Sequence, residues 1–303
     1  MSEASSGTRC GFVALVGAPN VGKSTLVNQL VGTKVSIVTP KVQTTRSQVR
    51  GIAMHGEAQV VFVDTPGIFA PRRRLDRAMV QAAWRGAGDA DLVAVLIDAR
   101  KGLDEEARTI IDRLAAQGHK KVCVINKIDL VPKESLLALA DTLNQAAQFE
   151  RIFMISATKG DGIGDVLRYF AAAVPAGPHH YPADEISDLP ERIMAAEVTR
   201  EKLYLRLHEE LPYQSTVETD SWKELRDGSV RIEQTIFVER ETQRKIVLGE
   251  GGRMIKAISM DARKELVATL DRKVHLFLHV KVREDWENDP ERYRAAGLEF
   301  PKE

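Results

Sequence analysis

"FVALVGAPNVGKSTLVNQL", residues 12–30, decides the fold. An apolar, β-prone run (12–17) meets a glycine-bounded turn, and a helical pattern (24–31) starts at once after it. The turn, GAPNVGKST at 17–25, fits G-x-x-x-x-G-K-[ST] in the strand–turn–helix context that this motif requires. Gly17, Ala18, Pro19, Asn20, Val21 and Gly22 form a loop whose backbone N–H groups can surround phosphate oxygens. Lys23 is placed to reach the β- and γ-phosphates, Ser24 to ligate Mg²⁺, and Thr25 to follow them into the helix.

Outward from that turn, β-rich runs at 58–67, 92–98, 121–126 and 151–157 alternate with helical patterns at 76–87, 104–117, 135–146 and 162–173. The runs at 92–97 and 122–125 are apolar on both faces, as buried parallel strands are. The expected architecture is an α/β domain over 10–174, with a mostly parallel sheet and helices on both faces, preceded by an N-terminal tail (1–9).

The ends of these strands name the base. NKID (126–129) closes a buried strand, where ligands of α/β sheets gather. The Asp129 carboxylate can accept from the ring N–H and the exocyclic amine of guanine, a donor pair that adenine lacks. Hydrogen bonds to a charged group contribute about 1.5–3 kcal/mol, or roughly 10- to 100-fold in selectivity. Asn126 and Lys127 complete that motif, and Ser156 and Ala157 stand where a backbone N–H meets the guanine carbonyl. In DTPG (64–67), Asp64 is placed to hold Mg²⁺ through water and the Gly67 N–H to meet the γ-phosphate; Thr65 and Pro66 lie between them. The threonine-rich stretch TPKVQTTRS (39–47) is expected to bring Thr44 and Thr45 to the nucleotide, with Thr45 as the last Mg²⁺ ligand, and to order with the γ-phosphate. The catalytic set expected from these motifs is Lys23, Thr45, Asp64 and Gly67.

Bulk numbers exclude several classes. The fractions of hydrophobic (44%) and charged (28%) residues among the 303 are those of soluble globular domains. Net charge is +0, and residues 1–188 (22 basic, 20 acidic) differ little from 189–303 (21 and 23), so nucleic acid would have to be bound by a local patch. MSEASSGTRC is no secretory signal, and no apolar run is long enough to span a bilayer. The two cysteines, Cys10 and Cys123, read as free thiols, with Cys123 in the core; a cytoplasmic protein is expected.

Residues 175–190, rich in proline and carrying His179 and His180 without partners at ligand spacing, read as a linker. The remainder reads helix (191–210), two strands (215–223 and 229–239), a short helical segment (242–248), helix (253–270) and strand (274–282). Between the last two helices lies VLGEGGRMIK (247–256). A dinucleotide fingerprint fails there, since Met254 occupies the third glycine position, and no GKS or GKT follows. G-x-x-G from Gly249 to Gly252 between two helices is instead the loop with which K-homology domains clamp an RNA backbone. Gly249, Glu250, Gly251, Gly252, Arg253, Ile255 and Lys256 are the expected RNA contacts, in an α+β type II K-homology domain over 191–286, with a polar tail at 287–303.

Residues 12–174 resemble the translation-factor-like P-loop GTPases, in the subgroup with a hydrophobic residue, here Ile68, where Ras-like enzymes carry a water-orienting glutamine. In relatives with an Asn in the P-loop, as Asn20 here, that Asn helps bind K⁺, which replaces an arginine finger; the resemblance thus adds Asn20 to the expected catalytic set as a K⁺ ligand. With the glycine-loop domain included, APNVGKSTLVNQLVG, QTTR, DTPG, REKLYLRLHEELPY (200–213) and VHLFLHVKV (274–282) are similar to the Era GTPases over nearly the whole chain. That resemblance implies GTP hydrolysis with Mg²⁺, binding of 16S rRNA near its 3′ end, assistance to small-subunit (30S) assembly and rRNA maturation, a monomer, and peripheral association with the cell membrane. Glu250 departs from it, since members usually carry a basic residue there. Two alternatives stand beside it: a GTPase of tRNA modification, and an RNA chaperone with a structural nucleotide domain. Arg72, Arg73 and Arg74 read as a solvated loop.

Overall fold

The computed structural model describes residues 7–116 and 118–301; the N-terminal six residues of the expected tail, Gln117 at the expected end of one helix, and residues 302–303 lie outside the described residues. The chain divides into two compact units, one of residues 1–36, 45–188 and 293–303, the other of 37–44 and 189–292.

The first unit contains β1 (Arg9–Val16), α1 (Lys23–Val31), β2 (Val49–His55), β3 (Ala58–Asp64), α2 (Arg74–Asp89), β4 (Leu92–Asp98), α3 (Glu105–Ala116), β5 (Lys121–Asn126), α4 (Lys133–Ala146), β6 (Ile152–Met154) and α5 (Ile163–Ala173). The six strands lie in the order β2-β3-β1-β4-β5-β6, all parallel except β2, which runs antiparallel to β3. Alternation along the strands builds two cores. Leu92, Ala94 and Leu96 of β4 face one layer with α1 and α5, while Val93, Val95 and Ile97 face the other with α2, α3 and α4. Such two-faced burial is why β4 and β5 read as continuous apolar runs. Cys123 sits in the second layer, and burial pushes its thiol up to about 12.

Strand β2 has no counterpart in the sequence reading. Its residues, VRGIAMH, give no apolar alternation, since one face reads Val49, Gly51, Ala53, His55 and the other Arg50, Ile52, Met54. Gly51 is needed for helix packing, since a Cβ there would stand 2.8 Å from Val27 and Val31 of α1. The proline-rich 175–188 stretch is held along this unit. Cys10 N–H donates to Pro175 O (3.0 Å), Ile52 N–H to Ile186 O (2.9 Å), and the buried Gln59 accepts from His180 N and Tyr181 N (2.9 and 3.0 Å). The tail also packs here: Leu298 is buried, Glu299 meets Arg85 at 2.7 Å, and Arg74 lies 5.0 Å over the Phe300 ring, on helix α2.

The second unit contains α6 (Glu191–Arg206), β7 (Ser215–Glu224), β8 (Val230–Val238), α7 (Glu241–Leu248), α8 (Arg253–Leu270), β9 (Val274–Val282) and the short α9 (Pro290–Ala295), which runs past its boundary. β7 and β8 form an antiparallel hairpin with a bulge at Thr219/Ser221, and β9 pairs parallel to β8. The order α-β-β-α-α-β is the one expected. Helices α6 and α8 pack on the sheet through Ala195, Val198, Leu203, Tyr204, Ala262 and Leu266. Helix α6 ends at Arg206, four residues earlier than the amphipathic pattern suggests, because Leu207 is already extended.

Candidate functional site

The ends of β1, β3, β4 and β5 point to one edge of the first sheet, and the expected nucleotide residues gather there. The P-loop needs the left-handed conformation at Asn20 (φ 63°) and Gly22 (φ 102°). Gly22 also leaves room for Asn126, whose Nδ2 would stand 2.3 Å from any Cβ. The Asn126 amide ties three loops together. Its Nδ2 donates to Val21 O (2.8 Å), and its Oδ1 accepts from Lys127 N (2.8 Å) and Ala157 N (2.9 Å).

Lys23 opens α1 and is 6% exposed, its ammonium donating to Gly17 O and Ala18 O at 3.1 Å each. Burial pulls its pKa down to about 8 and outweighs the opposing effect of Asp64. A buried ammonium at the start of a helix, beside open backbone N–H groups, is a receptor for a polyanion.

Ser24, Thr45 and Asp64 converge. Asp64 Oδ2 accepts from Ser24 Oγ (2.6 Å), Ser36 Oγ (2.6 Å) and Thr45 Oγ1 (3.3 Å), and Ser24 Oγ lies 2.9 Å from Thr45 Oγ1. The other carboxylate oxygen, Oδ1, is buried and has no hydrogen-bond partner among the described residues. Burial raises the Asp64 pKa even though these hydroxyls oppose it. An orphaned carboxylate oxygen beside two hydroxyls fits a hard cation such as Mg²⁺, which takes oxygen ligands, keeps several waters and uses one or two carboxylates. Thr44 does not join this cluster. Its hydroxyl bonds Thr39 Oγ1 (2.6 Å) and Lys41 O (2.8 Å) within the second unit.

In DTPG, Thr65 turns its hydroxyl inward to Leu15 O (2.6 Å), so its side chain braces β1. Gly67 lies against the P-loop: a Cβ there would stand 2.8 Å from Pro19 Cγ and 2.9 Å from Pro19 Cα. Ile68 donates its N–H to Gly17 O (3.1 Å) and is buried in the α2–α4 layer. The next two arginines, Arg72 and Arg73, give their N–H groups to Asp76 (3.0 Å each), which caps α2.

At the base-recognition loop, Lys127 (φ 67°) reaches back to the P-loop, its ammonium donating to Asn20 O (2.5 Å) and Asp98 Oδ2 (2.7 Å). Burial alone would raise the Asp98 pKa, but hydrogen bonds from Arg100 and Lys127 hold it at about 2. Asp129 accepts from Ser156 Oγ (2.7 Å), which orients its carboxylate. Sequence reasoning missed Asp98 and Ser36. For Asp98 the available signal was an acid at the C-terminal end of a buried parallel strand; Ser36 had none.

The glycine turn of the second unit is separate. Gly249, Gly251 and Gly252 all have positive φ (72°, 57° and 77°). At Gly249 a Cβ would collide with Met254, 2.7 Å from its Cβ and 2.8 Å from its N. At Gly251 and Gly252 it would meet nothing within 4 Å. The first glycine thus serves closure of the turn onto α8, and the other two present open backbone at a helix start. Glu250, Arg253 and Lys256 are exposed, Ile255 packs on the core, and the flanking Ile246 is 55% exposed.

Residues 12–127 match a family profile described as 50S ribosome-binding GTPase, and residues 210–287 a KH domain profile. The chain is 65% identical over 296 residues to the GTPase Era of Bradyrhizobium sp. strain BTAi1, covering 98% of this chain and 96% of the relative. It superposes with a TM-score of 0.91 and 38% identity on Aquifex aeolicus Era bound to GDP and AlF₄⁻, covering 96% of this chain and 99% of that one. The same identity, coverage and score hold for an Era crystallised with MgGDPNP and nucleotides 1506–1542 of 16S ribosomal RNA.

Proposed function

This chain belongs to the Era family of GTPases, and from that premise we propose that it is an RNA-binding switch that binds 16S rRNA near its 3′ end and assists assembly of the small ribosomal subunit. The observation that carries the reading is the meeting of Ser24, Thr45 and the half-satisfied Asp64 beside buried Lys23, in a chain that also presents an open GxxG turn.

In the proposed mechanism the P-loop amides and Lys23 hold the β- and γ-phosphates. Ser24 and Thr45 would ligate Mg²⁺, with Asp64 as the carboxylate beside them. The ion, when bound, neutralises charge that develops on the phosphate oxygens. Asp129, fixed by Ser156, selects guanine, and Asn126 holds the P-loop and the Ala157 loop at one spacing. Ile68 has no group with which to orient water, so hydrolysis relies on positioning. Asn20 would help hold K⁺, which would supply the positive charge of an arginine finger, a group that contributes about 10³–10⁵ in rate. Gly251 and Gly252 admit the sugar–phosphate backbone of the RNA, and α8 directs its N-terminus at it. The protein acts as a cytoplasmic monomer that visits the inner membrane surface peripherally; among the described residues no helix is long and apolar enough to cross a membrane.

One experiment tests the nucleotide half. GTP binding and hydrolysis by the wild type and Lys23→Ala are compared in KCl and NaCl. The wild type is expected to turn over GTP faster in KCl, and Lys23→Ala to lose tight binding. Retained affinity in the variant would overturn the P-loop assignment, and equal rates in the two salts the role of Asn20.

A further inference from the structure

Residues 37–44, the first half of the threonine-rich segment, cluster with the second unit. Three contacts hold them there. Glu201 of α6 accepts the Val38 N–H at 2.8 Å. Arg200, its neighbour on α6, donates through Nη2 to the Thr44 carbonyl at 2.6 Å. Lys41 donates its ammonium to the Leu207 carbonyl just after the helix. The next residue, Thr45, belongs to the first unit and meets Ser24 and Asp64.

Arg200 is built for rigidity. It is 2% exposed, it is paired with Glu197 through Nε (2.8 Å) and Nη2, and it lies 5.1 Å over the Tyr204 ring. Glu201, 3% exposed, is paired with Lys202 at 2.7 Å. A buried, charge-assisted hydrogen bond is both strong and directional. Here it fixes the carbonyl of the peptide that joins Thr44 to Thr45, and so the orientation in which the Thr45 backbone begins.

We propose that Arg200 is a positioning residue for the GTPase reaction: from helix α6 of the RNA-binding unit it holds the Thr44–Thr45 peptide so that the Thr45 hydroxyl is presented to the magnesium–phosphate site. Glu201 and the Leu207 carbonyl anchor the rest of the segment. The proposal rests on the reading of Thr45 as a Mg²⁺ ligand of the GTP state. Its consequence is specific: the grip supports the triphosphate state, in which Thr45 is engaged, and is irrelevant to the diphosphate state. By linkage, whatever disturbs α6 changes affinity for GTP and leaves GDP alone.

The test is equilibrium binding of fluorescent GDP and of a non-hydrolysable GTP analogue, each titrated at several Mg²⁺ concentrations, with thermal unfolding as a control. The variant is Glu197→Gln/Arg200→Met, which removes the buried charge pair together, with Arg200→Lys as the conservative partner. GTP-analogue affinity at limiting Mg²⁺ is expected to fall roughly tenfold or more, GDP affinity to stay the same, and Arg200→Lys to recover part of the loss. Equal changes for both nucleotides, or none, overturn the proposal. If the double variant does not fold, Arg200→Lys carries the test alone, and a full wild-type preference in it is the overturning result. If the wild type itself shows no Mg²⁺-dependent affinity for the analogue, the nucleotide reading fails, and the proposal with it.

Discussion

Lys23 shows how one side chain can carry the cost of a site before its ligand arrives. Its ammonium is buried and donates to two carbonyls, and its pKa is drawn down to about 8 from the usual 10.5. In the free protein, stability therefore rises with pH between about 8 and 10.5, because the unfolded chain binds the extra proton there. A phosphate reverses the balance by favouring the charged amine, so nucleotide binding above pH 8 takes up a proton. The expected outcome is a GDP affinity that falls by up to about tenfold per unit as pH rises beyond about 8. Isothermal titration in buffers of different ionisation enthalpy measures that proton uptake directly. An affinity independent of pH up to 9 would mean that the phosphates leave the lysine as it is.

At the scale of elements, the glycine turn between α7 and α8 separates closure from contact. Gly249 needs positive φ and close approach to Met254, whereas Gly251 and Gly252 need only the positive φ. Gly249→Ala is expected to destabilise the second unit by about 2–4 kcal/mol, combining the strain of a glycine-only backbone conformation (φ 72°, ψ 170°) with overpacking. Gly251→Ala is expected to cost about 1 kcal/mol. Urea unfolding of the two variants checks the order, and an equal loss would contradict it. The spacing of glycines alone could not separate these roles, because φ and the distance to Met254 belong to the folded turn. The same limit applied elsewhere. The P-loop, DTPG and NKID were legible because each is a fixed spacing at a strand end. β2 was not, because neither of its faces is evenly apolar: one carries Gly51 and His55, the other Arg50; and Gly51 is explained by two valines of α1. Thr45 was singled out as the ligand, but that its neighbour Thr44 turns to Thr39 and Lys41 instead of the nucleotide site was not legible, because the two differ in the unit that holds them.

For the whole molecule, the chain passes from one unit to the other between residues 36 and 37, 44 and 45, 188 and 189, and 292 and 293. A P-loop GTPase joined to a K-homology domain by a simple linker needs one such passage. The others put the threonine segment with the RNA-binding unit and the tail with the nucleotide-binding unit, where Leu298 is buried and Glu299 and Phe300 meet α2. The tail had read only as polar sequence, since Leu298 and Phe300 are isolated in it and α2 is distant in the chain. With near-zero net charge in each half, RNA affinity in this account comes from a few backbone contacts at Gly251, Gly252, Arg253 and Lys256. The central claim is that this turn carries a GTPase to one RNA site. Crosslinking in cells followed by sequencing of the bound RNA, for the wild type and Gly252→Asp, tests it most directly. The account predicts that the wild type enriches the 3′ end of 16S rRNA and that Gly252→Asp loses this enrichment while still hydrolysing GTP. Recovery of the same segment by Gly252→Asp, or no enrichment of 16S rRNA by the wild type, would contradict it.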